Sequence, residues 1–408
     1  MAYRSGVAMI KWRVVCLALF QCAFGDAAIA LEPCADLMKK SGSYIEQLDP
    51  IDDPPTDPTP TERFYFYSNR DAGDMHGVER LTKLLNVSGK GSFVGVWDVS
   101  AVFGNHEQLK GRVKAQKADC EKIEGTSCVG RHATHVAGTI ASEGKPSSGD
   151  KGESSRGMAP EATVYSFQRH DYFRIAREVC KRATDVQPSY ISNHSYGRHM
   201  GWDYECGVSN GVHITRWSWQ GKGGMYDDDP GASVFDDLVY KYPTLSIFKS
   251  AGNYRGKDLQ LPLCGTTTMD NDEYFIAGQP VSKSVLLSQG YQLPPTADYY
   301  NITSLALAKN VITIGAIEKN PESVAKGKQG PGLQDKTDVK PTGFSSFGPR
   351  GNAGGVKPDL VAAGRNLLSP AIDLFERRID DPKLASLTNH YESLEGTSMA
   401  SPTAVGRG

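Results

Sequence analysis

The 408-residue sequence lacks charge of one dominant sign: 45 Lys and Arg stand against 47 Asp and Glu, a formal charge of -2. Proteins that hold nucleic acid through its phosphates need a concentrated basic face, so nucleic acid is not an expected partner. No apolar run approaches the length of about 18 residues that a membrane-spanning helix requires, so no stable membrane span is expected. The sequence has no Cys-X-X-Cys pair and no His-Glu-X-X-His, which excludes the zinc ribbon and the common helical zinc-hydrolase motif. Internal repeats are absent too, which excludes solenoids and propellers. What remains is a chain of 39% hydrophobic residues with 43 Gly and 23 Pro, the composition of a loop-rich globular protein that can bury a large core.

The N-terminus is read as an address. Arg4, Lys11 and Arg13 lead into a mostly apolar stretch from Val14 to Gly25, and Ala28-Ile29-Ala30 supplies a small-x-small cleavage site. Residues 1–30 are therefore expected to be a signal peptide and the protein secreted, periplasmic or otherwise extracytoplasmic. Bulky Gln21 before Cys22 argues against a lipid anchor there. Removing the segment leaves Cys34, Cys120, Cys128, Cys180, Cys206 and Cys264, an even count that suits disulfides in an exported protein, although nothing chooses among the possible pairings. Residues 31–63 form an N-terminal segment and linker, since Leu48 to Glu62 is rich in Pro and Asp and too polar to build a core. Residues 64–408 are taken as one folded region.

Within that region, short β-branched or apolar runs predict buried strands over Phe93–Trp97, Thr163–Phe167, Ser189–Asn193, Leu245–Ala251, Val311–Ile317 and Asp359–Ala363. Helical patterns are read over Gly77–Leu85, Ala133–Ser142, Tyr172–Ala183 and Ala232–Tyr240. Strands alternating with helices predict an α/β fold with a mainly parallel central sheet and helices on both faces. Ligands of such sheets gather at the carboxyl ends of the strands. The stretch from Arg255 to Ala308 shows little patterning and is expected to be a long loop.

Three residues stand where catalysis would need them. Asp98 ends the run VGVWD, His132 opens the helix of HATHVAGTI and Ser398 opens that of GTSMASP. A serine hydroxyl becomes a useful nucleophile when an imidazole takes its proton and a carboxylate fixes the imidazole tautomer. The unpaired N–H groups of a helix start could also face a developing oxyanion, and Asn253, after Ser250-Ala251-Gly252, could add a side-chain donor.

With these motifs in this order, the sequence resembles the subtilisin-like serine proteases, the subtilases. Further blocks similar to the family are Arg156–Ala162, Ile191–Gly197, Lys309–Ala316 and Phe344–Gly364. The resemblance implies that Asp98 orients, His132 is general base and acid, Ser398 attacks and Asn253 stabilises the oxyanion. It also implies a cleft lined by Ser195, Tyr196, Gly197, Ser250, Ala251 and Gly252, polypeptide substrates, and no cofactor or metal in catalysis. A structural calcium ion is compatible with it, at no assigned position; Asp227-Asp228-Asp229 is the nearest candidate, more readily a solvated turn. Oligomeric state is not legible.

The sequence departs from the family pattern at Val99 and Ser100 after the acid and at Ala133 after the histidine. It ends ten residues after Ser398, where the family continues with further helices, and is read as truncated. A catalytically silent peptide-binding scaffold on the same fold is the alternative function. A nucleophile elbow at Gly207-Val208-Ser209-Asn210-Gly211 lacks the strand before and helix after that it needs. His135 is expected to be a packing partner and His194 to bond locally in a buried strand. Trp217 and Trp219 are assigned to ordinary packing. Asn86, Asn193 and Asn301 begin N-X-Ser/Thr sequons, although Asn193 falls in an expected core strand.

Overall fold

A computed structural model describes residues 68–115, 129–146, 149–168, 190–198, 201–209, 212–220, 230–255, 273–276, 278–289, 293, 301–320, 338–349, 355–373, 376–377 and 382–406. The expected signal peptide, the linker, the helix at 172–183, Asp227–Asp229 and every mature-chain cysteine side chain lie outside the described residues.

In chain order, two short helices come first, α1 (Asn69–Met75) and α2 (Val78–Leu85). Strand β1 (Phe93–Asp98) and β2 (Val113–Ala115) precede helix α3 (Arg131–Ala141) and β3 (Thr163–Gln168). Then follow β4 (Tyr190–His194), a hairpin of β5 (Gly201–Ser209) and β6 (Val212–Gln220), helix α4 (Pro230–Lys241) and β7 (Leu245–Ser250). After β8 (Glu273–Ile276) and α5 (Lys283–Ser288) come β9 (Ile312–Lys319), β10 (Val339–Pro341), β11 (Leu360–Ala363), β12 (Leu367–Pro370), β13 (Tyr391–Leu394) and α6 (Thr397–Val405).

The main sheet has the order β10–β9–β7–β4–β1–β3–β2, with β11 also paired to β9. All its pairings are parallel except β9 with β10. Period-two alternation divides its side chains between two cores. Val94, Val96, Val164, Phe248 and Ile314 join α3 and α6 on one face. Trp97, Phe167, Leu245 and Ile247 meet Phe235 and Leu238 of α4 on the other. Helix α3 is buried along its length from Ala133 to Ala141, as expected of a helix enclosed by sheet and neighbours rather than a surface helix with one apolar stripe. Fully burying a side chain such as Val136 or Ile140 there contributes roughly 1.5–3 kcal/mol.

The expected strands form, and so do the expected helices within the described residues, with ends moved by a residue or two. Two expectations need correction. The β5–β6 hairpin was not read from the sequence, and it encloses Gly207–Gly211, so Ser209 ends a strand that turns back into an antiparallel partner rather than into a helix. The stretch 255–308 is not all loop: β8 pairs in parallel with β6, and α5 follows it, capped by Ser282, whose hydroxyl accepts from Val285 N. Trp217, Trp219, Trp202 and Tyr274 bury one face of this smaller sheet with Leu286 and Ile302, which is the physical reason a segment of modest hydrophobicity holds together.

Candidate active site

Asp98 is the last residue of β1, at the carboxyl edge of the central sheet. Its carboxylate is buried, and Val99 N donates to Oδ1 at 2.8 Å, so the departure at position 99 leaves this main-chain bond in place. His132 is the second residue of α3, whose N-cap is Gly130 in extended conformation. Its Nδ1 lies 2.9 Å from Asp98 Oδ1 and 2.8 Å from Oδ2. A carboxylate oxygen accepts, so Nδ1 is the donor of this pair, and in the tautomer that this selects the lone pair is on Nε2. The side chains of Asp98 and His132 are 1% and 12% exposed respectively, and His132 Nε2 is itself buried, so the pair is screened from bulk water.

Ser398 is the second residue of α6, which packs against α3, β4, β7, β9 and β11. Ser398 Oγ donates to Ser195 O at 3.2 Å, and Ser195 Oγ donates back to Ser398 O at 2.9 Å. Gly396, the N-cap, has φ 144°, ψ 165°, a conformation that side chains rarely adopt. Asn253 lies three residues beyond β7. Its Oδ1 accepts from Thr397 N at 2.8 Å and Thr397 Oγ1 at 2.9 Å, and Thr397 Oγ1 accepts from Gly252 N at 3.0 Å. With Oδ1 engaged by Thr397, the amide is oriented and Nδ2 lies beside Gly396 at the start of α6.

The remaining residues expected in the cleft have buried side chains. Tyr196 packs inward, its hydroxyl 2.7 Å from His194 Nδ1, and Lys249 Nζ donates to Tyr196 O from beneath. Ser250 Oγ bonds His194 O at 3.4 Å, and Ala251 joins the core under the β5–β6 hairpin. Gly252 has φ 115°, and a Cβ there would come within 2.5 Å of Thr303 Cγ2. Gly197 likewise abuts Thr303. What these two segments can offer a ligand is main chain.

His135 is wholly buried with Nε2 2.7 Å from Leu367 O, and burial pushes its pKa down to about 3. His194 sits between Ser192 Oγ and Tyr196 hydroxyl; burial, then the nearby Lys249 charge, hold it well below the usual histidine range. Both therefore stay neutral. Among the described residues no group of three or more His, Cys, Asp or Glu side chains could hold a metal ion. Sequence reasoning missed Thr397, Asn193 and Ser401, which fasten the start of α6 to the sheet; Asn193 Oδ1 accepts from Ser401 Oγ at 2.7 Å.

The model of the Subtilase family, Peptidase S8, matches residues 89–407. The chain belongs to the subtilase family. It is 27% identical over 304 residues to the serine protease/ABC transporter B family protein tagB of Dictyostelium discoideum, a match covering 68% of this chain and 14% of that protein. The related tagD of the same organism is 26% identical over 302 residues, covering 67% and 15%. The chain thus spans about a seventh of the length of these curated relatives. Among solved structures it is similar to fervidolysin from Fervidobacterium pennivorans, a keratinolytic enzyme related to subtilisin, with TM-score 0.40 and 20% identity over 79% of this chain and 36% of that one. It is also similar to the S393A mutant of the epidermin leader peptide processing serine protease of Staphylococcus aureus, with TM-score 0.45 and 14% identity over 86% and 72%. No helix among the described residues of this subtilase is long and apolar enough to cross a membrane.

Proposed function

We propose that this subtilase is a secreted or otherwise extracytoplasmic serine endopeptidase that hydrolyses peptide bonds through an acyl-enzyme on Ser398. The observation that carries the reading is the buried Asp98–His132 pair, with Nδ1 held by the carboxylate, in a chain whose GTSMASP block starts a buried helix with Ser398. In the reaction, His132 Nε2 takes the proton of Ser398 Oγ as the oxygen attacks the scissile carbonyl carbon. The carbonyl oxygen becomes an oxyanion, met by Asn253 Nδ2 and the N–H groups at the start of α6. The tetrahedral intermediate collapses, the C–N bond breaks and the imidazolium protonates the leaving amine. Water, deprotonated by His132, then releases the acid and restores Ser398. Main chain of Ser195–Gly197 or Ser250–Gly252 would pair with the peptide as an added strand. No cofactor enters these steps.

The test is fluorophosphonate labelling of the secreted protein, mapped by mass spectrometry, beside Ser398→Ala. Label on Ser398 that vanishes in the variant is expected. A folded protein that takes no label at Ser398 but still binds peptides would overturn the reading in favour of a silent scaffold.

A further inference from the structure

Helix α6 contains a proline whose cost falls on the proposed nucleophile. In an α-helix the carbonyl of residue 398 accepts from the N–H of residue 402, and residue 402 is Pro, which has none. Ser398 is buried, so its carbonyl needs another donor. Ser195 Oγ provides it at 2.9 Å from the residue that follows β4. The serine hydroxyl is itself aimed: Asn193 Nδ2 donates to Ser195 Oγ at 3.0 Å, which occupies a lone pair and turns the hydroxyl hydrogen toward Ser398 O. The amide of Asn193 is oriented in turn, because its Oδ1 accepts from Ser401 Oγ at 2.7 Å. Ser398 and Ser401 are three residues apart and so share a helix face. Asn193, Ser195 and Ser401 are all wholly buried, so these bonds do not compete with water.

We infer that Ser195 is a positioning residue for Ser398, its hydroxyl standing in for the backbone donor that Pro402 removes, with Asn193 and Ser401 aiming it. This rests on the protease reading for its catalytic consequence and on the hydrogen bonds alone for its structural one. The proline leaves the first turn of α6 without one of its own restraints, and a bond from a different element fixes it to the sheet edge that would meet the peptide. The nucleophile and the substrate-facing strand are thereby set relative to each other, a relation to which reaction rates are steep.

The experiment is a double-mutant cycle with Ser195→Ala and Pro402→Ala, read by fluorophosphonate labelling rate, by kcat and KM on a peptide, and by urea midpoint. Ser195→Ala is expected to slow labelling and kcat about 10- to 100-fold with KM unchanged. Pro402→Ala in that background returns an N–H to position 402 and is expected to restore part of the rate and raise the midpoint above that of Ser195→Ala. Ser195→Thr keeps the hydroxyl but adds a methyl at a wholly buried position, so it is expected to recover part of the labelling rate lost in Ser195→Ala while lowering the midpoint. A Ser195→Ala loss confined to KM, a wild-type rate in Ser195→Ala, or strictly additive midpoints would each overturn the inference. Unlabelled wild type together with coupled midpoints would sink the protease reading and leave the donor exchange standing.

Discussion

Gly396 and Asn253 touch without room for a side chain between them: a Cβ on Gly396 would stand 3.0 Å from Asn253 Nδ2. The backbone of Gly396 is at φ 144°, so alanine would be strained there even in open space. The contact brings the end of the β7 segment against the start of α6. Gly396→Ala is therefore expected to cost about 1–3 kcal/mol of stability, and to lower kcat more than KM because the intruding methyl displaces the Asn253 amide. Urea denaturation and steady-state kinetics check both parts; an unchanged kcat in a stably folded variant would separate Asn253 from the chemistry.

Asn253→Ala removes the amide that Thr397 orients. If Nδ2 meets the oxyanion, kcat falls about 10²- to 10³-fold while KM changes little. The same substitution also frees Thr397 N and Oγ1 from their common acceptor, so the midpoint should drop as well. Asn253→Asp is the discriminating companion: it can keep the acceptor for Thr397 but presents no amide donor, and should recover stability without recovering rate.

Asp98→Asn is expected to lower kcat by about 10⁴ with the fold intact. The carboxamide can accept from Nδ1 only in one orientation and can instead donate, stabilising the tautomer in which Nε2 carries the proton and cannot take another from Ser398. Kinetics across pH 6 to 9 check this, and a loss smaller than tenfold would remove Asp98 from its orienting role.

His106 and His135 are two of the buried histidines that give stability a pH dependence. His106 Nε2 donates to His390 O at 2.7 Å, Nδ1 accepts from Gln108 N at 3.2 Å, and burial lowers the pKa to about 4; that of His135 falls to about 3. Both are depressed below the ordinary value of 6.5. From about 6.5 down toward 4 the unfolded chain binds more protons than the folded one, so stability falls as pH falls, by up to about 1.4 kcal/mol per pH unit for each histidine. Above that window the two contribute no slope. Urea midpoints between pH 7.5 and 4.5 should decline, and less steeply in His106→Gln; an equal slope in that variant would exclude His106 as a source.

Much of this was legible in the sequence because the central strands are continuous apolar runs and the site residues sit in compact local motifs. Asp98, His132, Asn253 and Ser398 each carry their neighbours' signature within a few residues. The hairpin of β5 and β6 was harder, since the described part of β6 buries one face only. The signal was nevertheless present at Thr215, Trp217 and Trp219, which are buried while Arg216 and Ser218 between them are not. The bonds that join Asn193 and Ser195 to Ser401 and Ser398 could not be read at all, because their partners lie about two hundred positions apart. Pro402 was the one local clue: a proline inside a helix announces a carbonyl that must be satisfied elsewhere.

The placement of α6 also bears on how the molecule is made. It packs against β4, β7, β9 and β11, strands spread from residue 190 to 363, and all of them precede it in the chain. A ribosome therefore delivers the proposed acid, base and oxyanion donor long before the hydroxyl they would serve. Until the last of these segments has emerged and the long-range pairings have closed, a slow step for a topology of this kind, the nascent polypeptide has no assembled centre of the kind proposed. Order of synthesis alone thus withholds the proposed centre until Ser398 has been made.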